Sequence, residues 1–131
     1  MSDFIPKGMG PIFPIKGYPD AANLSRTVYL AGPISSDPNW RRTFAFAEMD
    51  VRRMFNPARI LSPTTFPDGW DYQHYMEHCL IMVRRADALV MLPNWQSSPG
   101  ACAEHAYATS LGIHIFNLPS FPTRALSNIA P

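Results

Sequence analysis

Apolar runs and amphipathic stretches take turns along the middle of the chain, and their order predicts the elements. Thr27-Val28-Tyr29-Leu30-Ala31 is a short β-rich run closed by Gly32-Pro33, the signature of a first strand. After a loop over 34–39, Trp40, Phe44, Ala47, Val51 and Met54 recur at helical spacing, with Arg41, Arg42, Glu48 and Arg52 on the other positions. This amphipathic helix over 40–55 ends at Asn56-Pro57. Residues 59–62 give a brief second strand stopped by Pro63, and 64–69 a loop. Asp71 then caps a helix whose stripe is Tyr72, Tyr75, Met76, Cys79, Leu80 and Val83, with Arg84 and Arg85 complementing its C-terminal dipole. Residues 87–92 form a continuous apolar strand. Ser98 is a good N-cap with Pro99 at the first helical position, and the next helix runs through Ala101, Ala103, Ala106 and Ala108 until Gly112. Residues 113–118 make the last clear strand. Strand alternating with helix, without hairpin signals, implies parallel strands joined by right-handed crossovers. The predicted fold is an α/β, Rossmann-like or flavodoxin-like three-layer sandwich with a small parallel sheet of four to five strands.

Outside this region the pattern changes. Pro6, Pro11, Pro14 and Pro19 with Gly8, Gly10 and Gly17 suppress helix and central strand, so residues 1–26 read as an extended arm ahead of a domain over 27–131. At 131 residues, 47% apolar and 16% charged, the chain has room for one core. A net charge of +1 and the lack of a Lys/Arg run give no footprint for a nucleic-acid polymer or a membrane surface, and favour a small-molecule ligand. Cys79 and Cys102 fit neither a disulfide framework nor a paired zinc set, and the start Met-Ser-Asp-Phe lacks a leader's basic and apolar regions. A reducing, cytoplasmic setting is therefore expected, and no apolar stretch reaches the roughly 20 residues of a membrane helix.

In open parallel sheets, ligands bind beyond the carboxyl ends of the strands where strand order reverses. Three loops qualify: 32–39, 62–70 and 93–100. The last feeds a helix N-terminus that favours an anion, and Gly100 allows close backbone approach. Glu104 lies one turn further in, where a carboxylate beside a sugar could attack the anomeric carbon or stabilise an oxocarbenium ion. Spacing alone favours a solvated helix glutamate instead. His74-Tyr75-Met76-Glu77-His78 matches the H-x-x-E-H zinc pattern, but no downstream carboxylate stands in a recognisable ligand context, so neither metal nor cofactor is expected. His105 and His114 read as structural groups, and Asp87 as an orienter of backbone N–H groups. Trp40, Phe44, Trp70 and Trp95 cluster around the predicted ligand loops, where an aromatic face could meet a base.

Three motifs in order carry a resemblance. Val28-Tyr29-Leu30-Ala31-Gly32-Pro33-Ile34-Ser35 with Asp37-Pro38-Asn39, then Ala86-Asp87-Ala88-Leu89-Val90, then Ser98-Pro99-Gly100-Ala101-Cys102-Ala103-Glu104 resemble the nucleoside 2-deoxyribosyltransferase superfamily over roughly 27–118. Within it the chain is similar to the small family called domain of unknown function 4406. The resemblance implies cleavage or transfer at the N-glycosidic bond of a nucleoside or nucleoside 5′-monophosphate, with Glu104 as the nucleophile taking the sugar at C1′. It implies a pocket around Tyr29, Gly32, Pro33, Ile34, Ser35, Asn39, Cys79, Trp95, Ser98 and Gly100, with Ser98 and Gly100 at any 5′-phosphate. Two departures stand out. The phosphate hydrolases of the superfamily carry Ser and Arg where this chain has Pro33 and Ser35, and the active-site aspartate that helps protonate the leaving base falls on Cys79. Asp71, His74 and His78 are nearby candidates for that acid. A non-catalytic nucleotide sensor and an NAD-cleaving glycohydrolase are the alternative functions. Similar proteins form homodimers or larger homo-oligomers in which a neighbour completes the pocket. Here the arm and the tail 120–131, with Ser127 and Asn128, are the candidates for that exchange.

Overall fold

The computed structural model describes residues 26–57 and 59–119. The proposed arm except Arg26, and the tail with Ser127 and Asn128, lie outside the described residues. Strand β1 (Thr27–Ala31) is followed by α1 (Trp40–Phe55), β2 (Arg59–Leu61), α2 (Tyr72–Arg85), β3 (Ala88–Met91), α3 (Pro99–Ser110) and β4 (His114–Asn117). Short 3-10 turns at Pro63–Thr65 and Trp95–Ser97 stand in the connections after β2 and β3. Among the described residues the four strands form one parallel sheet in the order β2-β1-β3-β4, the lower bound of the expected four to five. Tyr29 on β1 pairs with Leu61 on one side and Leu89 on the other.

Because side chains alternate across a strand, β1 and β3 each feed two cores. Val28, Leu30, Ala88, Val90 and Leu92 pack against Phe44, Ala47, Val51 and Phe55 of α1. Tyr29, Ala31, Leu89 and Met91 face the other way, onto Cys79 and Val83 of α2 and Ala101 and Ala108 of α3. The molecule is thus α1, sheet, then α2 with α3, the predicted three layers.

The helix ends follow the sequence signals. Asn56, in the left-handed region at φ 51°, closes α1 before Pro57. Asp71 accepts the His74 N–H at 2.8 Å and opens α2, and Ser98 Oγ accepts the Ala101 N–H at 3.2 Å and opens α3. Gly112, at φ +74°, turns the chain from α3 towards β4. Asp87 acts as expected: its Oδ2 accepts the Thr27 N–H at 2.8 Å and ties the start of β1 to that of β3. Ser62, expected inside the second strand, instead caps the following 3-10 turn by accepting from the Thr64 N–H at 3.3 Å. No helix among the described residues is long and apolar enough to cross a membrane.

β1 and β3 lie side by side, yet their following chains depart to opposite faces, so a crevice opens between the loops after them. Gly32 forms its floor. A Cβ there would stand 2.7 Å from Leu92 Cβ, an atom fixed to the neighbouring backbone, so the two strand ends must separate to admit one. Gly32→Ala is expected to destabilise the fold by about 1–3 kcal/mol, read as a lower urea midpoint with an unchanged slope; an unshifted midpoint would show that this floor is not close-packed.

Candidate active site

Glu104 is one of the residues lining the crevice. Ala101, Glu104 and Ala108 are the buried positions of α3, so the carboxyl group occupies an inward place on the helix face that packs on the sheet, only 4% exposed. Directly opposite is Tyr29, on a central strand and wholly buried. Its hydroxyl donates to Glu104 Oε2 at 2.6 Å, the length of a hydrogen bond to a charged acceptor. Burial pushes the Glu104 carboxyl up to about 7, while the hydroxyl of Tyr29 and then the thiol of Cys79 pull it partway back. Burial also lifts its neighbours: Tyr29 well above the ordinary phenol range, and Cys79 up to about 12 with the Glu104 charge adding to the effect. Tyr75, lifted first by burial and then by Cys79, keeps its proton too. Its hydroxyl is buried without a hydrogen-bond partner, and the Cys79 thiol lies near enough to raise its titration further. Glu104 is therefore the one member of this buried group that changes protonation near neutral pH.

The carboxyl group forms part of the wall of a cleft of about 470 Å³, within the usual range for small-molecule sites. All three expected loops reach it, through Gly32, Ile34 and Ser35, through Trp70, and through Ser98, Pro99 and Gly100. Helix α2 adds Tyr72, Tyr75 and Met76, and α3 adds Ala101. Gly100 keeps the ends of α2 and α3 close, since a Cβ there would meet Met76 Sδ at 3.2 Å. Trp70 is held from two directions. Its ring stacks on Phe66 (4.9 Å between centroids) and on His74 (4.3 Å), with His78 tilted against it at 4.8 Å. From α1, Arg41 donates to the Thr64 and Phe66 carbonyls at 2.8 and 2.9 Å and to Asp68 at 3.0 Å, clasping the loop that carries Trp70.

Of the residues singled out from sequence, Gly32, Ile34, Ser35, Ser98, Gly100 and Glu104 meet in the cleft. Tyr29 and Cys79 stand behind it, fully buried. Pro33 lines a separate depression with Asp37 and Asn94, and Asn39 lies at an outer groove with Trp40 and Arg42. Trp95 turns away: it stacks on His105 at 4.4 Å and donates from Nε1 to Asn117 at 3.0 Å. Among the tryptophans Trp70 alone borders the cleft. His74 and His78 belong to the ring stack around Trp70, and Asp71 to its helix cap. Among the described residues no three His, Cys, Asp or Glu side chains converge as a metal-binding group. Tyr72, Tyr75 and Met76 were legible only as a helix stripe. Tyr72 and Gly100 come together because α2 and α3 start side by side, which no local pattern reveals.

Residues 26–117 match the family described as Domain of unknown function (DUF4406). The chain belongs to this family. No curated protein matches it. Among solved structures, this DUF4406 chain is similar to a 2-desoxiribosyltransferase from Leishmania mexicana, with a TM-score of 0.54 and 21% identity over 71% of this chain and 63% of that one. It thus spans less than two thirds of the Leishmania protein. It is also similar to a conserved protein from Enterococcus faecalis V583, with a TM-score of 0.57 and 19% identity over 81% of this chain and 75% of that one. The DUF4406 chain therefore has the fold of a deoxyribosyltransferase.

The raised Glu104 pKa makes a thermodynamic statement with a definite sign. Between its ordinary value of 4.5 and the folded value of about 7, the folded state holds the proton and the unfolded state does not. Stability from this group is complete below about 4.5 and is lost as pH rises through about 7, a change on the order of 3 kcal/mol. Glu104→Gln cannot ionise. The melting temperature of the unaltered protein is expected to fall from pH 5 to pH 8 by roughly 10 °C more than that of the variant, measured by differential scanning calorimetry. Parallel curves would mean that Glu104 is not buried as described.

Proposed function

We propose that the protein breaks the N-glycosidic bond of a nucleoside or nucleoside 5′-monophosphate, with Glu104 as the group that receives the sugar. One observation carries the reading: a buried carboxyl group, oriented by the Tyr29 hydroxyl at 2.6 Å and titrating near pH 7, on the wall of a small-molecule cleft. A solvated helix glutamate would have neither the burial nor the partner. That a chain of the same fold is a 2-desoxiribosyltransferase supports sugar transfer as the reaction class.

In this mechanism Glu104 attacks C1′ while the bond from C1′ to the base nitrogen breaks, and its electron pair leaves with the base. The sugar is then an ester of Glu104. Water attacks the ester and returns the carboxylate, its released proton balancing the one taken up by the departed base, which is hydrolysis; a second base in place of water gives transfer. Tyr29 fixes the carboxyl orientation and keeps one oxygen occupied, so that the other is the free nucleophile. Its high pKa keeps it a donor throughout.

Ser98 is committed on two sides. Its Oγ accepts from the Ala101 N–H and its carbonyl from the Cys102 N–H, at 3.2 and 2.9 Å. Its hydroxyl proton remains available to a sugar oxygen lying in the cleft.

The test is a panel of nucleosides and nucleoside 5′-monophosphates, read by liquid chromatography for free base. Glu104→Gln is expected to lower base release on the order of a thousandfold or more while the circular dichroism spectrum is retained. Turnover kept in that variant would overturn the assignment. The nucleophile must be a carboxylate, so kcat/KM is expected to rise with pH up to about 7 and then level. The groups facing Glu104 are Tyr29, Cys79 and Tyr75, and all three keep their protons across that range. A rate that falls as pH rises from 5 to 8 would point instead to an acid role for this carboxyl.

A further inference from the structure

The lining of the cleft has a distinctive chemistry. Trp70, Tyr72 and Tyr75 bring three aromatic side chains, Met76 brings a polarizable thioether, and Glu104 brings a negative charge once it ionises, above about pH 7. Among the described residues no Lys, Arg or His lines it. Arg41, the basic group in the adjoining crevice across Trp70, has its guanidinium committed to Thr64, Phe66 and Asp68. Aromatic rings around a carboxylate attract a cation, through the negative faces of the rings and the Coulomb term together. An ionised Glu104 with no compensating positive side chain in the cleft is a costly arrangement that a cationic ligand relieves.

The leaving group has the same requirement. A neutral base departs as an anion and needs a proton. The side chains gathered around Glu104 are Tyr29, Cys79 and Tyr75, and each holds its proton far above neutral pH. His74 and His78 are stacked around Trp70 outside the lining, and Asp71 is a helix cap. A base that already carries a positive charge has no such need.

We infer that the substrate of this cleft is a nucleoside whose base is cationic, a pyridinium or another quaternised heteroaromatic ring, seated between Trp70, Tyr72, Tyr75 and Glu104. The inference rests on the N-glycosidase reading above. The step balances without an added acid. Glu104 forms a bond to C1′, the bond from C1′ to nitrogen breaks, and its electron pair cancels the charge on the ring, which leaves neutral. Water then cleaves the ester, restoring the carboxylate, freeing the sugar and giving one proton to solvent.

Two measurements on the full chain test this. The first is binding of 1-methylnicotinamide against nicotinamide, a pair that differs by a methyl group and a charge and that the protein cannot cleave, followed by tryptophan fluorescence. At pH 8 the cation is expected to bind about tenfold or more tightly than the neutral compound, and the preference is expected to shrink at pH 5 and in Glu104→Gln. Equal affinity, or a preference untouched by pH and by the variant, overturns the inference. The second is base release from nicotinamide riboside against uridine and guanosine, each expressed relative to its own uncatalysed rate. A larger acceleration for nicotinamide riboside is expected. Release from the neutral nucleosides with equal or greater acceleration overturns the inference and leaves the glycosidase reading standing. Selective binding of the cation without base release from any nucleoside sinks the glycosidase reading and with it the substrate, and leaves only a binding site for a cationic ring.

Discussion

The hydroxyl of Tyr29 and the carboxyl group of Glu104 meet 2.6 Å apart in a part of the molecule that otherwise holds apolar side chains. The contact spans 75 positions of sequence, joining a central strand to the helix that packs on it. Ionising the carboxyl group there costs on the order of 3 kcal/mol. Fully burying one large apolar side chain stabilises by about 1.5–3 kcal/mol. One or two of the residues packed beside the pair, such as Leu89, Met91 and Val83, therefore offset the cost. The fold can carry a carboxyl group that has to ionise in a buried place because the sheet beneath it is so well filled.

The other features of the site follow from this placement. Glu104 faces inward because it shares a helix face with Ala101 and Ala108, whose small side chains let α3 lie close to the sheet. Gly32 and Gly100 have the same effect at the crevice itself, one where β1 ends against Leu92 and one where α3 starts against Met76. The missing side chains let the strand end and the helix start close in beside a carboxyl group that is nearly shut off from water. Low exposure raises its pKa, and closeness to the cleft makes the raised pKa usable.

Much of the fold could be read from the sequence because its signals are local. The alternation of β-rich runs with helical stripes, the caps at Asp71 and Ser98 and the turn at Gly112 all act within a few residues, and the described elements follow them closely. The site is different. Alanines at 101, 103, 106 and 108 leave α3 without a clear apolar face, so periodicity could not say that Glu104 points inward. Only the order of three motifs singled it out. Cys79 sat on an apolar stripe and is buried as that stripe requires, yet it also adjoins Glu104, a contact set by the approach of α2 to α3. Trp95 lies in a ligand-side connection and still turns to His105 and Asn117, since side-chain direction in a loop has no period to follow.

The clasp made by Arg41 has a consequence for how such a site can change. Two of its three acceptors, at Thr64 and Phe66, are main-chain carbonyls. A carbonyl is present whatever residue occupies the position. The loop that brings Trp70 to the cleft is thus anchored by atoms that substitution does not remove, and its side chains are left free to vary. Over evolutionary time a wall built this way can exchange the surface it shows to a ligand while the path of its backbone stays the same.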